Sequence, residues 1–224
     1  MKLPFSHEQF LDVFAAYNRL LWPVAVLLWL ATLLALVSWW RRGAASSPVL
    51  AGLLAIHWAW SGIAYHFAFF RAINPAAIAF ATVFVAQAVL LAWMGVLRRR
   101  LVFSPSRSGW GLFGVALAVY ALAYPGMGLL TGLSYPRMPT FGVPCPTTIL
   151  TAGLLLTAPR AGARLAAVVP MLWSAVGGSA AFTLRIRPDF ALPVAGAALL
   201  LHLLPARASA PPPAPPPRAG TRRC

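Results

Sequence analysis

Long apolar runs that are almost free of charge follow one another along this sequence, and they decide what it can fold into. Four of them are about 20 residues or longer, the length that crosses a bilayer core roughly 30 Å thick as a helix: residues 20–40, 48–70, 75–97 and 110–133. Only 9% of the 224 residues are charged, whereas a soluble domain carries about 25%. The sequence therefore predicts an all-α, polytopic transmembrane helix bundle with no separate soluble domain.

Three further apolar runs follow, and they are less regular. Residues 165–184 are long enough for a full span, and residues 190–204 form a shorter one that contains Pro193. Residues 147–158 would give only about 18 Å of helix, which cannot cross unless residues 143–146 add extended chain at membrane depth. We expect seven spans within residues 20–204, of which the fifth is short and broken.

The two ends of the chain differ from the apolar runs. In residues 1–19, Ser6 and Gln9 have the spacing of a capping box, and apolar residues then recur at helical spacing opposite charged ones. This pattern predicts an interfacial amphipathic N-terminal helix. Residues 205–224 are rich in proline and arginine, which predicts a disordered tail or polyproline II.

The net charge of +15 indicates the partners of the chain. Basic residues form short clusters between apolar runs, such as residues 41–42 and 98–100, which is typical of cytoplasmic loops that meet anionic lipid headgroups. No folded basic and aromatic surface remains for nucleic acid, which we exclude as a partner. The expected partners are the lipid bilayer and its anionic headgroups, and an oligomer or a membrane partner stays open.

Orientation follows from the distribution of arginine and lysine. With seven spans and the N-terminus outside, 12 basic residues lie inside and 6 outside, as the positive-inside rule requires. If the fifth run merely re-enters, the split becomes 8 inside against 10 outside. We therefore predict an N-out, C-in protein of the bacterial inner (plasma) membrane.

Under this topology, several polar residues gather near the non-cytoplasmic face, where ionisable groups in a membrane protein indicate a site. The predicted substrate-binding residues are His66, Arg71, Asn74, Cys145 and Asp189. Prolines exclude regular helix just before the fifth run, and Cys145 would cap that helix, where free N–H groups favour a thiolate. The alternative is that Cys145 is a small buried residue in a tight turn.

Familiar enzyme motifs are absent from the sequence, which has no phosphate-binding glycine loop, His-Glu-x-x-His, Cys-x-x-Cys or Gly-x-Ser-x-Gly. His57 and His66 are nine residues apart and so lie on opposite faces of a straight helix. We therefore expect no metal site. The sequence does not indicate whether the chain binds a cofactor. Pro125 and the irregular fifth run resemble the discontinuous helices from which transporters build their sites.

These observations favour a small permease-like or solute-binding membrane protein with an outward-facing polar site. Two alternatives stay open. One is a thiol- or metal-dependent membrane enzyme in which Cys145 is the nucleophile or a ligand and His66 is the base or a second ligand. The other is an accessory subunit of a membrane complex.

Several motifs taken together resemble one family. They are Leu3-Pro4-Phe5 with Tyr17-Asn18, Tyr65-His66 through Asn74-Pro75, residues 139–148, residues 177–182, and Asp189. This combination is similar to the bacterial membrane-protein family known as domain of unknown function 6064, over residues 1–204. The resemblance implies no activity, although members are sometimes labelled as permeases of the major facilitator type. A major facilitator has 12 spans in two halves, about twice what this chain offers.

Overall fold

The computed structural model describes residues 3–205, and within them the chain forms helices and turns without a strand. Each of the seven apolar runs coincides with a helix, and one short helix precedes the sixth run. The helices are α1 (His7–Arg42), α2 (Ser47–Trp60), α3 (Ala77–Leu91), α4 (Gly109–Leu130), α5 (Pro144–Leu156), α6 (Arg160–Ala166), α7 (Val168–Leu184) and α8 (Ala191–Leu203). Residues 206–224, for which disorder is predicted, lie outside the described residues.

Two of these helices continue in a wider form. α2 continues as a π-helix over Ser61–Phe69, and α3 continues as a π-helix over Ala92–Leu97. Short 3₁₀ turns at Gly43–Ser46, Phe70–Ala72 and Arg187–Phe190 join or precede the main helices. Because π-helical segments are frequent at functional sites, the segment after α2 is of particular interest.

The N-terminal capping box predicted from the sequence is confirmed. The Ser6 hydroxyl accepts from the backbone N–H of Gln9 at 3.2 Å, and the Gln9 side-chain oxygen accepts from the backbone N–H of Ser6 at 2.8 Å. From this cap α1 runs through Pro23 to Arg42 without interruption. The predicted amphipathic segment and the first span are therefore one continuous helix, and the interfacial location of residues 1–19 stays a prediction.

The helix termini meet at two opposite ends of the bundle. At one end, the Trp39 indole donates to the Phe103 carbonyl oxygen, the Phe103 N–H donates to the Ser47 hydroxyl, and the Ser104 N–H donates to the Thr157 carbonyl oxygen. These contacts join the end of α1, the start of α2, the α3–α4 connection and the end of α5. We call this the Trp39 end.

The opposite end contains the start of α1, the end of the π-helix after α2, the start of α5, the end of α7 and the turn that holds Asp189. We call it the Asp189 end. The helices of the seven apolar runs therefore alternate in direction between the two ends.

α5 is the central helix of the bundle. All 13 of its residues are buried, and α2, α4, α7 and α8 pack around it. Its closest neighbour is α4, where Gly153 faces Gly114 so tightly that a Cβ added at Gly153 would lie 2.6 Å from the Gly114 carbonyl oxygen. Such contacts between small residues allow membrane helices to approach closely.

The burial of α5 corrects the prediction for the fifth run. The expected break is not found, because α5 is regular from Pro144 to Leu156. A helix of this length measures about 20 Å, which is too short for lipid on its flanks. Since protein surrounds α5, its length need not match the bilayer thickness.

The outer surface and the helix lengths identify a membrane protein. Three helical stretches are long and apolar enough to cross a bilayer, namely His7–Ala72, Ala77–Leu97 and Gly109–Leu130. A fourth is added if Arg160–Ala166 and Val168–Leu184, bent by 54°, form one span. Large apolar side chains such as Leu27 (63% exposed) cover the outside of these helices.

The first of these stretches folds back on itself. Its 66 residues would extend about 100 Å if straight. Gly43, at φ +57°, provides the turn between α1 and α2, a conformation that glycine adopts without steric cost. A hydrogen bond of 2.9 Å between Thr32 and His57 then joins the two arms. The stretch is therefore a helical hairpin.

One buried asparagine holds the loop after α4 against α1. The Asn18 amide nitrogen donates to the carbonyl oxygens of Pro136 at 2.7 Å and Met138 at 2.8 Å, and its oxygen accepts from the Thr140 hydroxyl at 2.6 Å. Asn18 is fully buried, so this contact fixes the loop in a single position over the Asp189 end.

An exposed ion-pair cluster reinforces the same contact. The Arg137 guanidinium lies 2.6 Å from the Glu8 carboxylate and 2.9 Å from the Asp12 carboxylate. The hydrogen bond that Arg137 donates to Glu8, followed by the charge of Asp12, raises the pKa of Arg137. Because all three side chains are exposed, the surrounding water and salt screen much of this attraction.

Candidate functional site

A cavity of about 250 Å³ lies at the Asp189 end. It is enclosed by residues 3–5, the start of α1, the π-helix after α2, the starts of α3 and α5, and α7. The structure brings four of the five predicted site residues together in its lining, namely His66, Asn74, Cys145 and Asp189. We call it the aromatic cavity because seven aromatic rings also line it.

His66 is the most unusual group in the aromatic cavity. The π-helix places it among aromatic rings, with centroid distances of 4.7 Å to Phe84, 5.0 Å to Trp173, 5.6 Å to Phe80 and 5.8 Å to Phe70. The side chain is fully buried, and neither ring nitrogen has a hydrogen-bond partner among residues 3–205. A neutral imidazole carries one donor and one acceptor, and leaving them unpaired is costly. His66 is therefore equipped to bind a molecule in the cavity.

Asp189 is the second polar group of the lining. It lies in the 3₁₀ turn between α7 and α8, is 3% exposed, and accepts a hydrogen bond from the Tyr124 hydroxyl. Among the described residues, no lysine or arginine forms an ion pair with it. Burial raises the pKa of Asp189 to about 6, although the hydrogen bonds from Tyr124 and Cys145 lower it. The carboxyl group therefore changes protonation state close to neutral pH.

Cys145 lies next to Asp189 rather than at a helix cap. The structure makes Val143 the N-cap and Cys145 the second residue of α5, whereas the sequence predicted a cap at Cys145. Cys145 is 9% exposed, and its thiol lies beside the Asp189 carboxyl group. A thiolate there would add a negative charge beside a carboxylate. The arrangement therefore favours the alternative of a small buried cysteine.

Trp173 adds a donor to the aromatic cavity. Its ring stands against His66, and its indole N–H has only the weakly accepting sulfur of Cys145 beside it. An indole N–H in an apolar setting normally finds an oxygen partner. A molecule in the cavity could therefore satisfy both Trp173 and His66.

A family model matches this chain. The model of a family of unknown function, DUF6064, matches residues 7–210. The chain belongs to the DUF6064 family. The matched range includes all the residues predicted for the site. No curated protein and no solved structure matches the DUF6064 chain.

The remaining predicted residues lie at the edge of the cavity or outside it. The Asn74 side-chain oxygen accepts from the Ala76 N–H at 3.1 Å, and α3 then begins at Ala77. Asn74 therefore stabilises the tight turn before α3. Arg71 is exposed, with its guanidinium carbon 4.3 Å from the Phe67 ring centroid, and it does not line the cavity.

Sequence reasoning missed two partners in the candidate site, Tyr124 and Trp173. Tyr124 could have been identified from the sequence, because a hydroxyl inside an apolar run must find a hydrogen-bond partner. Trp173 had no such signal, because tryptophan is common in membrane helices.

No group of three or more His, Cys, Asp or Glu side chains could hold a metal ion among residues 3–205. His57 lies away from the aromatic cavity, since its Nε2 is 2.9 Å from the Thr32 hydroxyl and its ring packs against Phe141.

Proposed function

We propose that this chain is a small permease-like, solute-binding protein of a bacterial inner membrane, and that the aromatic cavity is its solute site. One observation carries the proposal. His66 is fully buried, has no partner for either ring nitrogen among residues 3–205, and belongs to the lining of a cavity of about 250 Å³. A ligand site typically combines such an apolar pocket with a few converging polar groups.

The seven-span, N-out topology belongs to the same proposal. The alternating helix directions support it. In α1, Trp22 and Trp40 are 55% and 65% exposed, and their separation of about 27 Å along the helix is close to the thickness of a bilayer core. Tryptophans in such pairs are typical of the two membrane interfaces. Arg19 and Arg41 lie just beyond them, which supports the same boundaries.

In this proposal residues 7–19 lie beyond the bilayer core, next to the aromatic cavity. In the N-out orientation the cavity therefore faces the outside of the cell. The proposal includes an interfacial segment over residues 1–19, a bundle over residues 20–204 and a separate tail over residues 205–224.

A binding assay with matched variants tests the proposed function. The full chain in detergent is screened by thermal shift against small metabolites of every charge, and solutes that bind are then tested for flux in liposomes. His66→Phe removes both ring nitrogens but keeps an aromatic ring, and we expect it to abolish the shift. His202→Phe is the control, because His202 is also buried but contacts Ala158 at the Trp39 end. If no solute of any charge shifts the melting temperature or crosses the membrane, the proposal is wrong.

The thiol-enzyme alternative gains no specific support. Nucleophile and base need about 2.6–3.2 Å between heavy atoms, and His66 forms no hydrogen bond with Cys145.

A further inference from the structure

We propose that the solute of the aromatic cavity is a small organic cation that also carries an oxygen acceptor. This inference rests on the proposed function and specifies its ligand. Charge, ring chemistry and size each support it.

The charge of the cavity lining favours a cation. Asp189 is the one acidic residue in the described lining, and no lysine or arginine among residues 3–205 lines the cavity. Arg185 and Arg187 are close in sequence but exposed. A buried carboxylate without a basic partner is stabilised by a cation in the same cavity. An anionic solute would meet repulsion there instead.

The aromatic rings of the lining also favour a cation. The faces of aromatic rings carry partial negative charge and attract organic cations, most strongly when water is excluded. The rings of the lining are Phe5, Phe10, Phe14, Tyr65, Phe70, Phe80 and Trp173. They belong to the segment before α1, to α1, to residues 65–70, to α3 and to α7, so a cation in the cavity lies among aromatic rings.

Size and hydrogen bonding define the rest of the solute. A volume of about 250 Å³ equals that of about eight water molecules at ~30 Å³ each, which limits the solute to roughly eight to ten non-hydrogen atoms. The Trp173 N–H requires an acceptor, and neutral His66 offers both a donor and an acceptor. A hydroxyl or ether oxygen on the cation satisfies these groups. Choline and similar amino alcohols have this chemistry, either as free solutes or as lipid headgroups.

Protonation of Asp189 gives the proposal a pH signature. The carboxylate form predominates above the Asp189 pKa of about 6, so cation affinity should rise between pH 5 and pH 7.5. The titratable or charged groups around Asp189 are Tyr120, Tyr124, Cys145, Tyr65, His66, Arg185 and Arg187. A protonated His66 would repel a cation and act in the same direction as a protonated Asp189.

The test compares charged and neutral probes of equal shape on the full chain in detergent. Choline is paired with 3,3-dimethyl-1-butanol, and ethanolamine with 1-propanol. We expect at least one cation to bind more tightly than its neutral partner, with the difference growing from pH 5 to pH 7.5. Asp189→Asn should weaken cation binding by about 30-fold or more, the usual effect of removing one partner of a buried charge pair. Asp12→Asn, at an exposed acid outside the cavity, should leave it unchanged.

A second arm distinguishes a free solute from a lipid headgroup. The chain is placed in nanodiscs of phosphatidylglycerol or of phosphatidylcholine, and choline binding is measured again. Equal binding in both indicates a free solute, whereas suppression in phosphatidylcholine indicates that the headgroup occupies the cavity, and either result supports a cation site.

If neutral or anionic solutes bind and neither cation exceeds its neutral partner, the cation inference fails while the solute site stands. If Asp189→Asn does not fold, the probe pairs and their pH dependence in the unaltered chain still test whether the cavity prefers a cation.

Discussion

Gly153→Ala tests whether the tight contact between α4 and α5 holds the bundle together. The new Cβ would lie 2.6 Å from the Gly114 carbonyl oxygen and 3.0 Å from the Ala118 nitrogen. The first distance is about 0.7 Å below the usual carbon–oxygen separation of ~3.3 Å. Both neighbours are backbone atoms, so the helices must separate. Overpacking costs about 1–3 kcal/mol, and the helix preference of alanine over glycine offsets about 1 kcal/mol.

We take the upper half of the range for overpacking because no flexible side chain can relieve the clash. The net destabilisation is then about 1–2 kcal/mol, which lowers the melting temperature by about 2–8 °C for a chain of this length. Thermal unfolding in detergent, followed by tryptophan fluorescence, measures the change. Gly126→Ala in α4, the helix that Gly153 contacts, is the control: no neighbouring atom lies within 4 Å of the added Cβ, and the variant should be neutral or stabilising. Equal melting temperatures for Gly153→Ala and Gly126→Ala would refute the proposed role of the contact.

Three further predictions concern the Asp189 end. Asn18→Leu leaves the Thr140 hydroxyl and two carbonyl oxygens without their buried partner and should cost about 2–4 kcal/mol in thermal unfolding, whereas an unchanged melting temperature would contradict the anchoring role of Asn18. Arg137→Ala removes exposed ion pairs and should lower the melting temperature less than Asn18→Leu does, with a difference from wild type that disappears in high salt. Asp189→Asn should raise the melting temperature at pH 7.5 and lose this advantage near pH 4. Burial raises the Asp189 pKa from 3.8 to about 6, so the native state retains a proton that the unfolded chain releases, and wild-type stability falls as pH rises through this window. A pH series of melting curves that runs in parallel for wild type and Asp189→Asn would disprove the last prediction.

The positions of the helices could be predicted from the sequence because length and hydropathy are what a membrane-crossing helix requires. The seven apolar runs each correspond to a helix for this reason. The central place of α5 could not be predicted. Helices that are apolar on every side carry no polar stripe to show which side meets lipid and which meets protein, so a buried helix and a short span look alike.

The candidate site was partly predictable for a related reason. His66, Cys145 and Asp189 stand out in the sequence because polar side chains inside apolar segments are rare. The orientation of Arg71 could not be foreseen, since it follows a π-helix over Ser61–Phe69. A π-helix holds more residues per turn than an α-helix, so a face calculated at 100° per residue is displaced after it. Trp173 joins the site only through tertiary packing.

The complete burial of α5 has a consequence for biogenesis. A 13-residue helix is a weak insertion signal when it leaves the ribosome, because it is shorter than the hydrocarbon layer that would receive it. Two of the helices that enclose it, α7 and α8, are synthesised later. α5 therefore has to wait beside the insertion machinery or the earlier helices until about the last quarter of the chain, which contains α7 and α8, arrives and closes around it. The bundle is completed from its C-terminal side, and a chain that stops before α7 would leave its own central helix facing lipid that it cannot span.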